Sequence, residues 1–218
     1  MSVAVILPTH NEEAGVGKVI DELRKISKEW EIYVVDSCST DRTIQIANEK
    51  GAKVIELPIR GKGIAVKRAF QDINADYLVM IDSDMTYPPS FIPQLLEKLK
   101  ECDVVTGSRL RGKMEKGAMS LMNRFGNAAL SLMASILYLR PISDICTGMW
   151  GFRKSAYKSI EIRAPHLELE CDMFAACARK GLKFCEIPID YKKREGETKL
   201  NALKYGFLDI IQLLKRRF

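Results

Sequence analysis

The chain has no run of about 20 apolar residues, the length that a membrane-spanning helix needs. Its first apolar run, Val3 to Leu7, is too short for a signal peptide and meets Pro8 at once. None of its cysteines forms a Cys-x-x-Cys pair. Cys38, Cys102, Cys146, Cys171, Cys177 and Cys185 sit in or beside apolar runs, the setting of reduced structural thiols in a cytoplasmic protein. Two phosphate-binding signatures are incomplete. Gly61-Lys62-Gly63 places glycine where a P-loop needs serine or threonine after the lysine. Gly15-Val16-Gly17 lacks the third glycine of a dinucleotide fingerprint, which argues against hydride chemistry. The Gly-rich N-terminal loop of nucleotidyltransferases is missing too. No linker, repeat or low-complexity tract divides the chain.

What is present suits one domain. A chain of 218 residues buries a full core without disulfides or structural metal. A hydrophobic share of 47% and a charged share of 28% are ordinary for a globular protein. The net charge of +6 is concentrated in Lys192-Lys193-Arg194 and Lys215-Arg216-Arg217. Such clusters suit anionic partners such as nucleotides or phospholipid surfaces, or form a solvated basic face.

Short apolar runs alternate with helical patterns. Strands are expected over Val3–Leu7, Glu31–Asp36, Lys53–Leu57, Tyr77–Asp82 and Asp103–Ser108. Helices are expected over Ala14–Ser27, Thr40–Lys50, Gly63–Asn74 and Pro88–Lys100. Val16, Val19, Ile20, Leu23 and Ile26 follow the helical period. This alternation predicts an α/β fold, a mostly parallel sheet with helices on both faces. Right-handed crossovers put the C-terminal ends of parallel strands on one edge, where ligands bind. Thr9 to Glu13, Asp36-Ser37 and Asp82-Ser83-Asp84 each follow a strand and converge there. The second half reads as an apolar, small-residue segment Met119–Leu139, then Asp144 to Gly148, a strand Met149–Arg153 and a helix Leu169–Lys180. A strand Lys183–Tyr191 and a helix Asn201–Arg217 complete it.

Asp82 and Asp84 are the metal candidates, because hard carboxylate oxygens suit Mg²⁺ or Mn²⁺. Thr86 adds an oxygen or a supporting contact in the same loop, or else caps the helix that begins at Pro88. Asp36 is placed to accept from a ribose hydroxyl or a base N–H, while Asp41 suits helix capping. Of Glu12 and Glu13, one faces the nucleoside and the other supports a helix N-terminus. Lys62 neutralises a donor phosphate or closes over the nucleotide. Arg109 is shaped for a phosphate fork. Arg194 and Lys199 form a cationic cluster around Gly196, a lid over the diphosphate or a solvated turn.

The ordered motifs Leu7 to Glu13, Val34 to Thr43, Gly61-Lys62-Gly63, Asp82-Ser83-Asp84, Gly107-Ser108-Arg109, Asp144 with Thr147-Gly148, and Gly196 to Leu200 span nearly the whole chain. In this set the chain resembles family 2 glycosyltransferases of the GT-A (Rossmann-like) fold, and within them the polyprenyl-phosphate sugar synthases typified by dolichyl-phosphate mannose synthase. The resemblance implies a single domain over 1–218, with a nucleotide-sugar half at 1–110 and an acceptor half at 111–218. It implies that Pro8, Thr9, Glu12 and Asp36 line the nucleoside pocket, and that Asp82 and Asp84 hold the metal with Ser83 beside the diphosphate. Arg109, Arg194 and Lys199 then meet donor or acceptor phosphates. His10, Ser37 and Thr86 depart from the residues common in close relatives.

The implied reaction is inverting transfer of a sugar, foremost mannose from GDP-mannose, to a polyprenyl or dolichyl phosphate. A lipid phosphate is already an anion and needs no general base, so Asp84, Arg109 and positioning carry catalysis. A sugar-hydroxyl acceptor, for example with UDP-glucose as donor, requires a carboxylate base. Glu170, Asp172 and Asp144 are the candidates, although Asp144 also suits orienting Thr147-Gly148. A non-catalytic nucleotide-binding subunit with a membrane partner is the reading from another class. Met119–Leu139 and the final helix suit a membrane interface on the cytoplasmic side, or else core packing. Nucleic acid is not an expected partner.

Overall fold

The structure is a computed structural model and describes residues 1–194 and 202–218. Seven strands build one sheet: Val3–Thr9 (β1), Glu31–Ser37 (β2), Lys53–Leu57 (β3), Tyr77–Met80 (β4), Val104–Ser108 (β5), Trp150–Arg153 (β6) and Phe184–Pro188 (β7). Their order is β3-β2-β1-β4-β6-β5-β7, and only β6 runs antiparallel to its neighbours. The helices are Val16–Ile26 (α1), Thr43–Glu49 (α2), Lys62–Asp72 (α3), Ile92–Lys98 (α4) and Leu121–Tyr138 (α5), with Lys154–Ser159 (α6), Leu169–Arg179 (α7) and Ala202–Arg217 (α8) following. The expected elements are present with trimmed ends. The run from Pro88 splits into a 3₁₀ turn, Pro89–Phe91, and α4, while α6 carries no periodicity long enough to read.

Both faces of the sheet are covered, as the continuously apolar strands require. Along β1, Ala4 and Ile6 face a core shared with α3, α5, α6 and α7, whereas Val3, Val5 and Leu7 face a core shared with α1, α2 and α4. Trp150 is fully buried, and its indole N–H donates to the Thr147 carbonyl at 2.7 Å.

The parallel strands β1, β2, β4 and β5 all end on one edge. Because β6 is antiparallel, its first residue, Trp150, pairs with Met80 and Thr106 at that same edge. The segment Asp144–Gly148 therefore arrives beside the other strand-end loops. Three loops on this edge hold a non-glycine residue at positive φ: Asn11 (54°), Cys38 (64°) and Met85 (66°). Such backbone costs free energy and persists where surrounding contacts determine it.

The thiols depart from the fully reduced expectation. Cys102 and Cys185 form a disulfide with Cα atoms 6.2 Å apart, because β5 and β7 are adjacent and bring together residues 83 positions apart in sequence. Cys38, Cys146, Cys171 and Cys177 are free.

The C-terminal helix is fixed by a buried ion pair. Asp172 on α7 accepts from Arg216 on both oxygens, from Gln212 at 2.6 Å, and from the backbone N–H groups of Arg163 and Ala164. Burial pushes the Asp172 carboxyl up, but Arg216 and these N–H donors outweigh it and hold it below the ordinary range. A depressed carboxyl stabilises the fold above its unfolded-state pKa and loses that contribution as pH falls through its folded value. We expect Asp172→Ala to cost about 3–5 kcal/mol, since it strands a buried guanidinium. Urea unfolding at pH 7 measures this, and the gap between variant and parent should narrow as the pH drops below about 4.

Candidate active site

The strand-end edge gathers four acids and two cations. Asp82 and Asp84 follow β4 through Ile81. Glu12 lies in the loop after β1, and Glu170 sits in the first turn of α7. The Lys62 ammonium, at the first position of α3, bridges Asp82 Oδ1 at 2.7 Å and Glu170 Oε1 at 2.6 Å. The Arg194 guanidinium bridges Asp84 Oδ2 at 2.7 Å and Glu12 Oε1. Two carboxylates one residue apart thus each carry an internal counter-ion from elsewhere in the chain.

Close backbone packing makes this arrangement rigid. A Cβ on Gly15 would lie 2.4 Å from the Ser83 carbonyl oxygen, and one on Gly148 would lie 2.1 Å from Asp82 Oδ2. Gly61-Lys62-Gly63 is likewise a packing device. Side chains at Gly61 and Gly63 would run into the carbonyls of Pro165 and Ala164. Only glycines on either side let Lys62 enter the acidic edge there.

The electrostatics follow from burial. Burial pushes the Asp84 carboxyl up and the adjacent Asp82 charge adds to the rise, which Thr86 and Arg194 oppose without cancelling. Burial also raises Glu170, against the pull of Lys62. For Lys62, burial works against the ammonium, but the charges of Asp82 and Glu170 prevail and hold its pKa above the usual lysine value. Thr86 does not cap the next helix but supports Asp84. Its N–H and hydroxyl both donate to Asp84 Oδ1, at 3.1 and 2.5 Å.

The side of the edge at the ends of β1 and β2 is equally specified. Asp36 is buried, one strand over from Thr9, and accepts from Thr9 Oγ1 at 3.3 Å and from the backbone N–H and hydroxyl of Ser39. Pro8 and Ser83 are buried beside it along the same edge. Asp41 accepts from Thr43 N–H at 3.0 Å and so caps α2. Glu13 accepts from Arg42 N–H at 3.1 Å, and Glu12 is the glutamate turned to Arg194.

Arg109 and Asp144 come together in a way that differs from a phosphate fork beside a base. Arg109 donates through Nε and Nη2 to Asp144 at 2.8 and 2.7 Å, and its backbone N–H adds a third bond at 2.8 Å. Asn127 donates to the same carboxylate at 2.5 Å. Asp144 is fully buried, and its partners outweigh burial to hold its carboxyl below the ordinary range. It orients Arg109 rather than Thr147-Gly148: the Thr147 hydroxyl donates to the Gly107 carbonyl, the Gly148 N–H donates to Tyr87 Oη, and the Thr147 carbonyl accepts from Trp150. The Tyr191 and Tyr87 rings flank the guanidinium, with centroids 5.1 and 5.9 Å away. Sequence reasoning missed these two tyrosines, which stand 104 positions apart and share no motif. Lys199 lies outside the described residues.

Asp82 and Asp84 offer the hard oxygens that Mg²⁺ or Mn²⁺ prefers, and among the described residues no group of three or more His, Cys, Asp or Glu side chains is placed to hold a metal. Two carboxylates fit an ion that completes its shell from substrate phosphates and water. The ammonium and guanidinium resting on them show that this edge balances positive charge.

The family model for Glycosyl transferase family 2 matches residues 4–161. A dolichyl-phosphate hexose transferase of Haloferax volcanii is 36% identical over 208 residues, covering 94% of this chain and 89% of the relative. The low-salt glycan biosynthesis hexosyltransferase Agl6 of the same organism is 34% identical over 212 residues, and this chain spans 51% of its length. Among solved structures, glucosyl-3-phosphoglycerate synthase of Mycobacterium tuberculosis with Mn²⁺, UDP and glucosyl-3-phosphoglycerate superposes with a TM-score of 0.79. It is 25% identical, and the match covers 99% of this chain and 79% of that one. A sheet edge that carries paired acids after its fourth strand, this topology and these matches agree: the chain is a glycosyltransferase of GT-A fold and belongs to glycosyl transferase family 2.

Proposed function

We propose that the chain transfers a hexose, foremost mannose from GDP-mannose, to the phosphate of a polyprenyl carrier with inversion at the anomeric carbon. The observation that carries the choice of acceptor is the state of the acids. A hydroxyl acceptor needs a carboxylate base. Asp144 is closed by Arg109, Asp172 by Arg216, and Glu170 by Lys62. A phosphate oxygen needs no base, so a site whose three candidate bases are each held by a cation suits it. Names of relatives agree, among them an undecaprenyl-phosphate mannosyltransferase of Micrococcus luteus, 30% identical over 217 residues.

In this reading residues 1–110 bind the donor and residues 111–218 receive the acceptor. Pro8, Thr9, Glu12 and Asp36 line the nucleoside, and Asp82 and Asp84 hold the metal with Ser83 beside them. Bound Mg²⁺ or Mn²⁺ supplies Lewis-acid stabilisation of the leaving diphosphate. Lys62, Arg109, Arg194 and Lys199 supply positive charge to donor and acceptor phosphates. Asp144 is a positioning residue that holds Arg109 in place.

The same reading places the chain on a membrane surface. Among the described residues no helix is long and apolar enough to cross a membrane. Yet ten of the twelve exposed large apolar side chains among the described residues lie on α5, α8 or the residue ending each, including Leu121, Phe125, Leu132, Phe207 and Phe218. The two helices pack together, with Tyr138 Oη donating to the Leu213 carbonyl at 2.7 Å. Helix α5 has no acidic residue, the one acid of α8, Asp209, is buried, and Arg124, Lys215 and Arg217 are exposed around the apolar surface. Apolar area with a cationic rim matches an anionic bilayer.

With Mn²⁺ present, labelled GDP-mannose should yield organic-extractable polyprenyl-phosphate sugar, and Asp84→Asn should lower the rate by about 100-fold or more. UDP-glucose is the alternative donor; lipid product from neither donor contradicts the reading. For the surface, co-sedimentation with phosphatidylglycerol vesicles should be clear at low salt, weaken as salt rises, and fall in Phe125→Asp. No sedimentation even at low salt contradicts the membrane assignment.

A further inference from the structure

We propose that Arg194 is an internal counter-ion that competes with the divalent cation for Asp84, so that metal entry and release of this arginine are one coupled event. The inference rests on the reading of the edge as a metal and diphosphate site, and it adds a linkage that this reading lacks.

The geometry of Asp84 carries it. Both hydrogen bonds to Oδ1 come from Thr86, through its N–H and its hydroxyl. The other oxygen, Oδ2, accepts from Arg194 Nη1 at 2.7 Å. A divalent ion bound through Oδ2 would stand against a guanidinium at hydrogen-bond range. Two cations cannot share one oxygen at that separation without strong repulsion, so the ion binds as Arg194 leaves.

Of the two internal cations, Arg194 is the displaceable one. Lys62 sits at the start of α3, wedged between two glycines that allow no shift of the backbone, and its side chain is 16% exposed. Arg194 lies outside regular structure, six residues beyond the end of β7, and its side chain is 28% exposed. Its Nε is buried with no hydrogen-bond partner among the described residues, so the arginine is held by its two terminal nitrogens alone. Nη2 reaches Glu12, in the loop that the sequence places at the nucleoside. One side chain thus clamps the β1 loop to the β4 loop while the metal position is filled by its own charge.

Charge bookkeeping agrees. Among the described residues of these ion pairs, Glu12, Asp82, Asp84 and Glu170 bring four negative charges, and Lys62 and Arg194 bring two positive ones. Exchanging Arg194 for a divalent cation adds one further positive charge to an edge that carries a surplus of acid. The released guanidinium is then free to take a diphosphate oxygen, so a metal-loaded site is also a site with a free arginine.

The two halves of the exchange have opposite signs, which makes the test sharp. Mn²⁺ alone is titrated calorimetrically into the full chain, Arg194→Gln and Asp84→Asn, followed by UDP at saturating Mn²⁺. Arg194→Gln should bind Mn²⁺ about tenfold more tightly than the parent in the absence of nucleotide, as expected for removing one partly exposed ion pair from a ligand oxygen. The same variant should bind UDP about tenfold more weakly once Mn²⁺ is saturating, because the diphosphate loses a charged donor. Glu12→Gln, which frees one end of Arg194, should shift Mn²⁺ affinity in the same direction by a smaller factor. Equal or weaker Mn²⁺ binding by Arg194→Gln, with binding lost in Asp84→Asn, overturns the competition and leaves the metal site standing. Mn²⁺ binding by none of the proteins, with or without UDP, overturns both.

Discussion

The structure turns on the neutralisation of buried acid at one sheet edge. Asp82, Asp84, Glu12 and Glu170 come from two loops and a helix start, and like charges this close oppose burial. Lys62 and Arg194 make the arrangement tolerable. The positions of α3, of the β1 and β4 loops and of the chain beyond β7 are all tied to where those two cations must reach. The glycines at 15, 61, 63 and 148 exist in this frame as points of backbone approach, since a Cβ at any of them would collide with the edge or with the segment that supports it.

A second ion-pair system lies in the C-terminal half. Asp144 grips Arg109 and is itself gripped by Asn127 on α5, so the exposed apolar helix is tied to the chemistry by a hydrogen bond. Asp172 and Arg216 do the same for α8. Both surface helices are thereby anchored from beneath by buried carboxylates. Their outer faces are left free to be apolar, a combination that suits a rigid enzyme working at a lipid surface.

The alternation of strands and helices was legible because continuously apolar runs have a simple cause, burial on both faces. Asp82-Ser83-Asp84, Asp36 and the Thr9–Glu13 loop were legible as one site because parallel topology sends strand ends to one edge. What sequence could not supply was pairing across long separations. Lys62 meets Glu170 across 108 positions and Arg194 meets Asp84 across 110. Nothing local to Arg109 showed that Asp144, 35 positions on, would pair with it and hold it in place. Glu170 and Asp172 looked like bases for the same reason, before Lys62 and Arg216 were seen to close them. Cys102 and Cys185 read as separate thiols until β5 and β7 proved to be neighbours. The family motifs named Glu12, Asp82 and Asp84 but not Glu170; only the fold revealed what neutralises them.

At this edge the proposed exchange is of Arg194 for a metal that carries a nucleoside diphosphate. A crystal structure of the chain grown with Mn²⁺ and UDP tests it most directly, with the anomalous signal of manganese marking the ion. The account predicts manganese within bonding distance of Asp84 Oδ2 and a diphosphate oxygen, with the Arg194 guanidinium moved off Asp84. Manganese bound elsewhere, or UDP bound at the edge with Arg194 still on Asp84, would contradict it.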